Sequence, residues 1–503
     1  SYTTGIRNTA IGYNALTSDT TGSDNIGVGA YASDNITTGQ RNIGIGVSAA
    51  TALTTGSYNT AMGDHALATA TTSDHNVAYG YGAMYNNTTG TRNHAFGNNG
   101  LYANTTGSQL ASIGYNALRF NTTGNDNTAV GNYALQANTT ASYNTGIGCS
   151  ALTTNTTGGW CTAIGWHALQ QNTSGDYQVA VGHQALTANT TGSRNVAVGP
   201  FNLYQSTTGS YNTAVGHYVL ISNTTGEDNT AIGAYALDAA TTAHGNTALG
   251  RSVLSAVTTG HSNVGVGASA LRVYTGSENT AVGYHAMYNT STGGDSVAVG
   301  HKAMFSNTTG NVSVAVGDAA LYSNTGGWGN VAVGYLALHD NTTGDANVAM
   351  GYKALNENTT ADTNVAIGYE ALKVNTTGTD LTAVGYKALN ANTTANDNSA
   401  FGDNALKANT TGGSNNAFGA AALMSNTTGA QNAAFGTGAL FSNTTGNYNT
   451  AFGHAALETN TADNNTAVGH ESMAANTTGT MNVAVGAYAL DANTTGSWNV
   501  ALG

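Results

Sequence analysis

The sequence predicts an all-β fold, a parallel β-solenoid or β-roll with one coil per 17-residue repeat. Three observations predict it. The chain repeats one short unit from end to end. Its composition opposes both helix and disorder, with 67 glycines, one proline, 7% charged and 40% hydrophobic residues. Each unit alternates like a strand and then runs into turn residues.

Counted from Asn8, the unit reads Asn-(Thr/Val)-Ala-(Val/Ile)-Gly-x-x-Ala-Leu-x-x-Asn-Thr-Thr-Gly-x-x, numbered below as positions 1 to 17. Units start every 17 residues from Asn8 to Asn263. One residue is missing in "LRVYTGSE", so the next start is Asn279, and a second deletion in "LETNTADN" sets a start at Asn465. Residues 1–503 thus form one continuous array of 29 complete units with a fragment at each end, which reads as a window of a longer fibre.

The elements follow in order. Seventeen residues is too short for a helical hairpin repeat, and Gly and Asn-Thr oppose helix. Positions 2 and 4 alternate with 1, 3 and 5 as a strand requires. Position 4 is large (Ile11, Val130, Phe452, Val485), so it is assigned to the interior together with Leu at position 9. Position 5 is a Gly bend, Ala-Leu a second short strand, and Thr-Thr-Gly a turn whose glycine at position 15 supplies a positive φ. Stacked coils rise by about 4.8 Å. Asn at position 1 (Asn8, Asn25, Asn42, Asn59, Asn76, Asn93) forms a structural ladder of stacked amides.

Position 3 is always Ala, Gly or Ser. With position 4 inside, position 3 points outward, and its small size implies close approach of another surface. Two readings stay open: a multi-chain rod with position 3 facing sister chains, or a flattened single coil with position 3 against a turn.

At "NTAVG", "NVAVG" (Asn195–Gly199) and "NTAIG" (Asn229–Gly233), followed by x-x-Ala-Leu, the chain resembles the head repeats of trimeric autotransporter adhesins. It is also similar to repetitive phage-type tail-fibre shafts. The resemblance implies a left-handed parallel β-roll, three parallel chains and surface attachment. The family's repeats are shorter, the extra length here being the Asn-Thr-Thr-Gly turn, and no neck, stalk, anchor or fibre-tip sequence is present.

The formal charge of −13 is spread thinly, and twelve Lys and Arg make no basic stripe, so nucleic acid is not an expected partner. No apolar run is long enough for membrane insertion in this segment. The partners expected are copies of the chain itself, a homotrimer before a monomer, and a surface or carbohydrate target. The setting expected is extracellular, at a cell or virion surface.

Asn at position 12 heads an N-glycosylation sequon on an expected surface turn. The candidates are Asn87, Asn104, Asn121, Asn138, Asn155, Asn172, Asn189, Asn223, Asn307, Asn341, Asn358, Asn375, Asn392, Asn409, Asn426, Asn443, Asn476 and Asn493. Early coils carry Asp19, Ile36, Leu53 and Ala70 there yet keep the two threonines, so turn and ladder geometry competes as the cause. The threonines are themselves O-glycosylation candidates. Adjacent threonines point to opposite sides, giving one outward Thr per coil, a thin array for ice or carbohydrate recognition.

Catalysis is not expected, and neither cofactor nor metal is assigned. The histidines at positions 6 and 7 (His65, His167, His183, His217, His285, His301) share those slots with Tyr, Asn, Asp and Lys and read as variable surface. Asp126, Glu227 and Asp345 lie in turns without a calcium-loop spacing. Cys149 and Cys161 occupy different repeat positions and read as small packing residues, not a bridge. The coil around Pro200 reads as drift at a tolerant turn.

Overall fold

Each repeat folds into one coil carrying a single three-residue strand at positions 2–4. The computed structural model describes residues 4–503, which fall into two compact units, Ser1–Arg251 and Ser252–Gly503. The first holds β1 (Thr9–Ile11) to β15 (Thr247–Leu249), the second β16 (Val264–Val266) to β30 (Val500–Leu502). Within each unit every strand pairs in parallel with the next coil's strand at the same repeat position, as in Val348↔Val365 and Ile367↔Val384. No helix of the described residues is long and apolar enough to cross a membrane.

The coil beginning at Asn364 shows how the backbone turns. The Val365 and Leu372 amides donate to carbonyls of the following coil, while those of Gly368 and Glu370 donate to the preceding one. The chain is therefore hydrogen-bonded upward and downward around most of its perimeter. Four residues take positive φ: Gly368 (138°), Glu370 (53°), Leu372 (50°) and Asp380 (60°), at positions 5, 7, 9 and 17.

This corrects two expectations. The Ala-Leu segment is a succession of turns and not a strand. Adjacent residues of a strand point to opposite sides, whereas Ala371 and Leu372 are both buried, which the left-handed Leu372 makes possible. The glycine that supplies positive φ is also not the one at position 15. Gly378 lacks it, and its smallness serves close packing: a Cβ there would lie 2.3 Å from the Ala395 carbonyl and 2.6 Å from Asn375 Oδ1. Alanine does occur at this position, as at Ala361 and Ala395, so the backbone can give locally.

The larger correction concerns the strand's two faces. Position 3 points inward and position 4 outward, the reverse of the expectation. Ala332, Ala349, Ala366 and Ala383 are fully buried, while Ile367 is 38% and Met350 42% exposed. Position 3 is small because it meets the leucine of the preceding coil and a carbonyl of its own. A Cβ on Gly146 would lie 3.3 Å from Leu135 Cγ and 3.4 Å from the Ala151 oxygen. Position 3 therefore faces no sister chain; it packs against a turn of its own coil, as the single-coil reading had it, but from the inside.

Two 16-residue coils, 263–278 and 449–464, keep strand register, with Val264↔Thr280 and Thr450↔Thr466 still paired. Each lacks one threonine of the turn, as expected from the sequence. In the first, Tyr274 stands at position 12 and is fully buried, its hydroxyl donating to the Ser277 carbonyl at 2.9 Å.

Candidate interaction surface

The interior and the outer faces have different chemistry. Inside, Leu at position 9 and Ala at 3 and 8 fill one part, and two columns of asparagine fill the other.

The expected ladder at position 1 is present and also closes each coil. Asn42 Nδ2 donates to Asn25 Oδ1 (3.2 Å) and to the Gly56 carbonyl at position 15 of its own coil (2.9 Å). Its Oδ1 accepts the backbone N–H and Nδ2 of Asn59 at 3.0 and 3.1 Å. Asn25, Asn42, Asn59, Asn76 and Asn93 are buried, and Asn8 is half-buried in the first coil.

A second asparagine ladder stands at position 12, where the sequence offered ladder geometry only as a rival to the sequon. Asn375 Nδ2 donates to Asn358 Oδ1 (3.2 Å) and to the Gly378 carbonyl (2.9 Å), and its Oδ1 accepts from Asn392 Nδ2 (2.9 Å). The ladder runs unbroken from Asn87 to Asn189 and from Asn307 to Asn443.

These are the asparagines proposed as glycan acceptors. Asn87, Asn104, Asn121, Asn138, Asn155, Asn172, Asn189, Asn223, Asn307, Asn341, Asn358, Asn375, Asn392, Asn409, Asn426, Asn443 and Asn476 are fully buried, and only Asn493, in the last complete coil, is half-buried. The nitrogen that would carry a sugar is committed inside the coil, so the folded rows do not present it. The signal was in the early coils. Ile36, Leu53 and Ala70 replace the asparagine without cost to the repeat because position 12 is interior, and all three are buried.

Outside, position 4 forms an apolar column on each unit's sheet, and beside it position 2 is Val, Ile or Ala in about half of the strands and Thr, Ser, Asn or His in the others. In the second unit Val297, Val299, Val316, Met350, Ile367 and Val485 are each exposed by 36–42%. Phe401, Phe418, Phe435 and Phe452 stack face to face with centroids 4.7, 4.8 and 5.8 Å apart. In the first unit Ile45, Met62 and Tyr79 line a shallow groove of about 350 Å³ on this face.

The turn threonines divide as expected. The Thr376 hydroxyl at position 13 donates to the Thr393 carbonyl at 3.0 Å, while Thr377 at position 14 is exposed, like Thr89, Thr106, Thr123 and Thr411.

Aromatic residues make further outer columns. Tyr335, Tyr352, Tyr369 and Tyr386 at position 6 stack at 5.3, 4.9 and 5.3 Å. Tyr143, Trp160 and Tyr177 at position 17 stack at 5.3 and 5.2 Å, and Arg194 continues the column between Tyr177 and Tyr211. Their faces are used on one another, leaving ring edges to solvent.

The histidines lie among these columns. Burial pushes His167 below its usual pKa, where it stacks on Trp166 with centroids 3.5 Å apart. Burial also pushes the Cys161 thiol up to about 12; it occupies a position-1 slot with Sγ 3.3 Å from the Gly175 carbonyl. Cys161 is the packing residue expected, but Cys149 is exposed at position 6 and is not one; both are free thiols.

No protein-family model and no curated protein matches the chain.

Proposed function

We propose that the chain is a structural element of an extracellular fibre, at a cell or virion surface, that assembles with copies of itself through the outward sheet face. The observation that carries this reading is the unbroken apolar column at position 4, widened by Val, Ile or Ala at about half of the neighbouring position-2 sites. In each unit fifteen strands at ~4.8 Å spacing and three residues of width give a face of roughly 700 Å², apolar along the whole of position 4 and about half of position 2. Monomeric proteins seldom leave more than a few hundred Å² of contiguous apolar surface uncovered. A face of this size matches what one partner of a stable complex buries, about 800 Å². With one sheet per coil, two copies can cover it by packing face to face, or three around a common axis. The adhesin-like repeat motif favours three and supports the surface setting.

Mass per unit length of the native assembly tests the reading. At ~4.8 Å per coil one chain gives about 0.35 kDa/Å, two about 0.7 and three about 1. The value for three is expected; the value for one overturns self-assembly.

A second reading is recognition of ice or carbohydrate. It rests on the position-14 threonines, exposed coil after coil. The aromatic columns do not favour sugar, since stacking on a pyranose needs an open ring face. Replacing Thr89, Thr106 and Thr123 together by Val leaves assembly intact under the first reading and removes ligand binding under the second.

A further inference from the structure

Among the described residues, one place brings three metal-ligating side chains together: His454, His470 and Glu471. His454 and His470 stand at position 6 of successive coils and Glu471 at position 7 beside His470. The coil that separates the two histidines is the short one, 449–464.

The coil stack sets the two imidazoles one above the other, with centroids 5.1 Å apart and planes inclined by 13°. Glu471 Oε1 lies 3.7 Å from His470 Nε2, and Tyr488 in the next coil packs edge-on against His470 at 5.3 Å. One donor atom from each of the three ligands lies within 4.8 Å of the others. Donors around a tetrahedral ion with ~2.1 Å bonds sit about 3.4 Å apart. Both histidines are exposed and Glu471 is half-buried, so side-chain rotation can close that difference while the backbone stays hydrogen-bonded.

The geometry points to a surface site for a borderline divalent transition ion, zinc, nickel or copper, held by His454, His470 and Glu471 with solvent in the remaining position. Two imidazoles and one carboxylate are the donor set such ions prefer, whereas calcium and magnesium call for oxygen ligands. The other stacked histidines do not gather three ligands: His183 lies against Trp166 and Phe201, His285 and His301 lie against Tyr284, and His301 has a single carboxylate, Asp318, at 2.9 Å. The site bridges the coils on either side of the deletion. An ion there ties the short coil to the coil that follows it through positions 6 and 7.

The test uses the full chain titrated with copper(II) and zinc(II). One tight equivalent is expected, with an electron paramagnetic resonance signal from copper showing two equivalent nitrogens. His454→Asn and His470→Asn should each remove that equivalent, and Glu471→Gln should weaken it at least tenfold. Position 6 is Asn at Asn98 and Asn132, so these histidine variants keep a residue the coil already accepts. Zinc should also raise the urea midpoint of the native chain and not of the double histidine variant. Absence of a tight equivalent, or its survival in that double variant, overturns the site.

Discussion

Ala366 and Ile367 are neighbours in one three-residue strand, and their surroundings are opposite. Ala366 is fully buried between coils, where even a methyl group is closely met, while Ile367 stands 38% exposed in an apolar column. The bulkier of the two side chains is outside, and part of the inside is amide. The ordinary inside-outside rule holds for a closed globule, in which apolar surface has one place to go. A coil whose outer sheet face is covered by another copy, as we propose, has two. On that proposal the narrow interior can be given to hydrogen-bonded ladders, and the branched side chains to the outer sheet face.

The largest test of this contrast is a pair of substitutions. Ala366→Leu overpacks the interior and should cost about 3 kcal/mol, read as a lower urea midpoint and faster amide exchange in the adjoining coils. Ile367→Lys should change the isolated chain by no more than about 0.5 kcal/mol yet disperse the assembly in sedimentation. Equal effects of the two on the isolated chain would erase the distinction between the faces.

The amide columns offer a second test. Asn375→Leu removes the donor to Asn358 and leaves Asn392 Nδ2 with the Ala395 carbonyl alone, and should cost about 2 kcal/mol. Replacing Asn358, Asn375 and Asn392 together by Leu should cost clearly less than three times that figure. Most of the penalty falls on the orphaned ends, and Ile36 and Leu53 already stack at this position in the first unit. Strict additivity in a thermodynamic cycle would contradict the ladder.

A smaller effect should come from mending a break. The ladder ends at Asn189 because Ser206 follows; both Asn189 Oδ1 and Ser206 Oγ are buried with no hydrogen-bond partner. Ser206→Asn restores a donor to Asn189 and an acceptor for Asn223, and should stabilise the first unit by about 1 kcal/mol, seen as a raised midpoint.

Asp19 gives the smallest. It holds the position-12 place in the first complete coil, where burial raises its carboxyl above the usual value despite the bond from the Gly22 N–H at 2.8 Å. A raised folded pKa means that stability is full below the unfolded value and falls as pH climbs through the folded one. Asp19→Asn should therefore stabilise at pH 7, and the gain should vanish below about pH 4, which melting curves across that range would show.

Much of the architecture was legible. The 17-residue register, the buried leucine, the position-1 ladder and the placing of both deletions in the turn follow from repetition and composition. What misled was local grammar. Ala-Leu looks like strand because nothing in the letters announces a left-handed leucine, and that conformation is rare for a residue with a Cβ. Asn-Thr-Thr looks like a surface sequon because a buried amide needs partners that only the coils above and below supply. Both errors share a physical origin, since they concern conformations fixed by contacts 16 or 17 residues away. The strand's inversion was hidden in the same way. Position 3 is small because of a leucine one coil earlier, which no pattern within a single unit reveals.

The asparagine columns also have a direction. Every link runs from Nδ2 of the later coil to Oδ1 of the earlier one, as from Asn392 to Asn375 and from Asn375 to Asn358. The finished end of a growing stack therefore always offers carbonyl oxygens, and the arriving coil always brings the N–H groups. A chain made from its N-terminus forward lays down the template before the segment that reads it. Successive amides polarise one another, so each added coil strengthens the hold on the one beneath it, and synthesis and folding can advance in the same sense, one turn at a time.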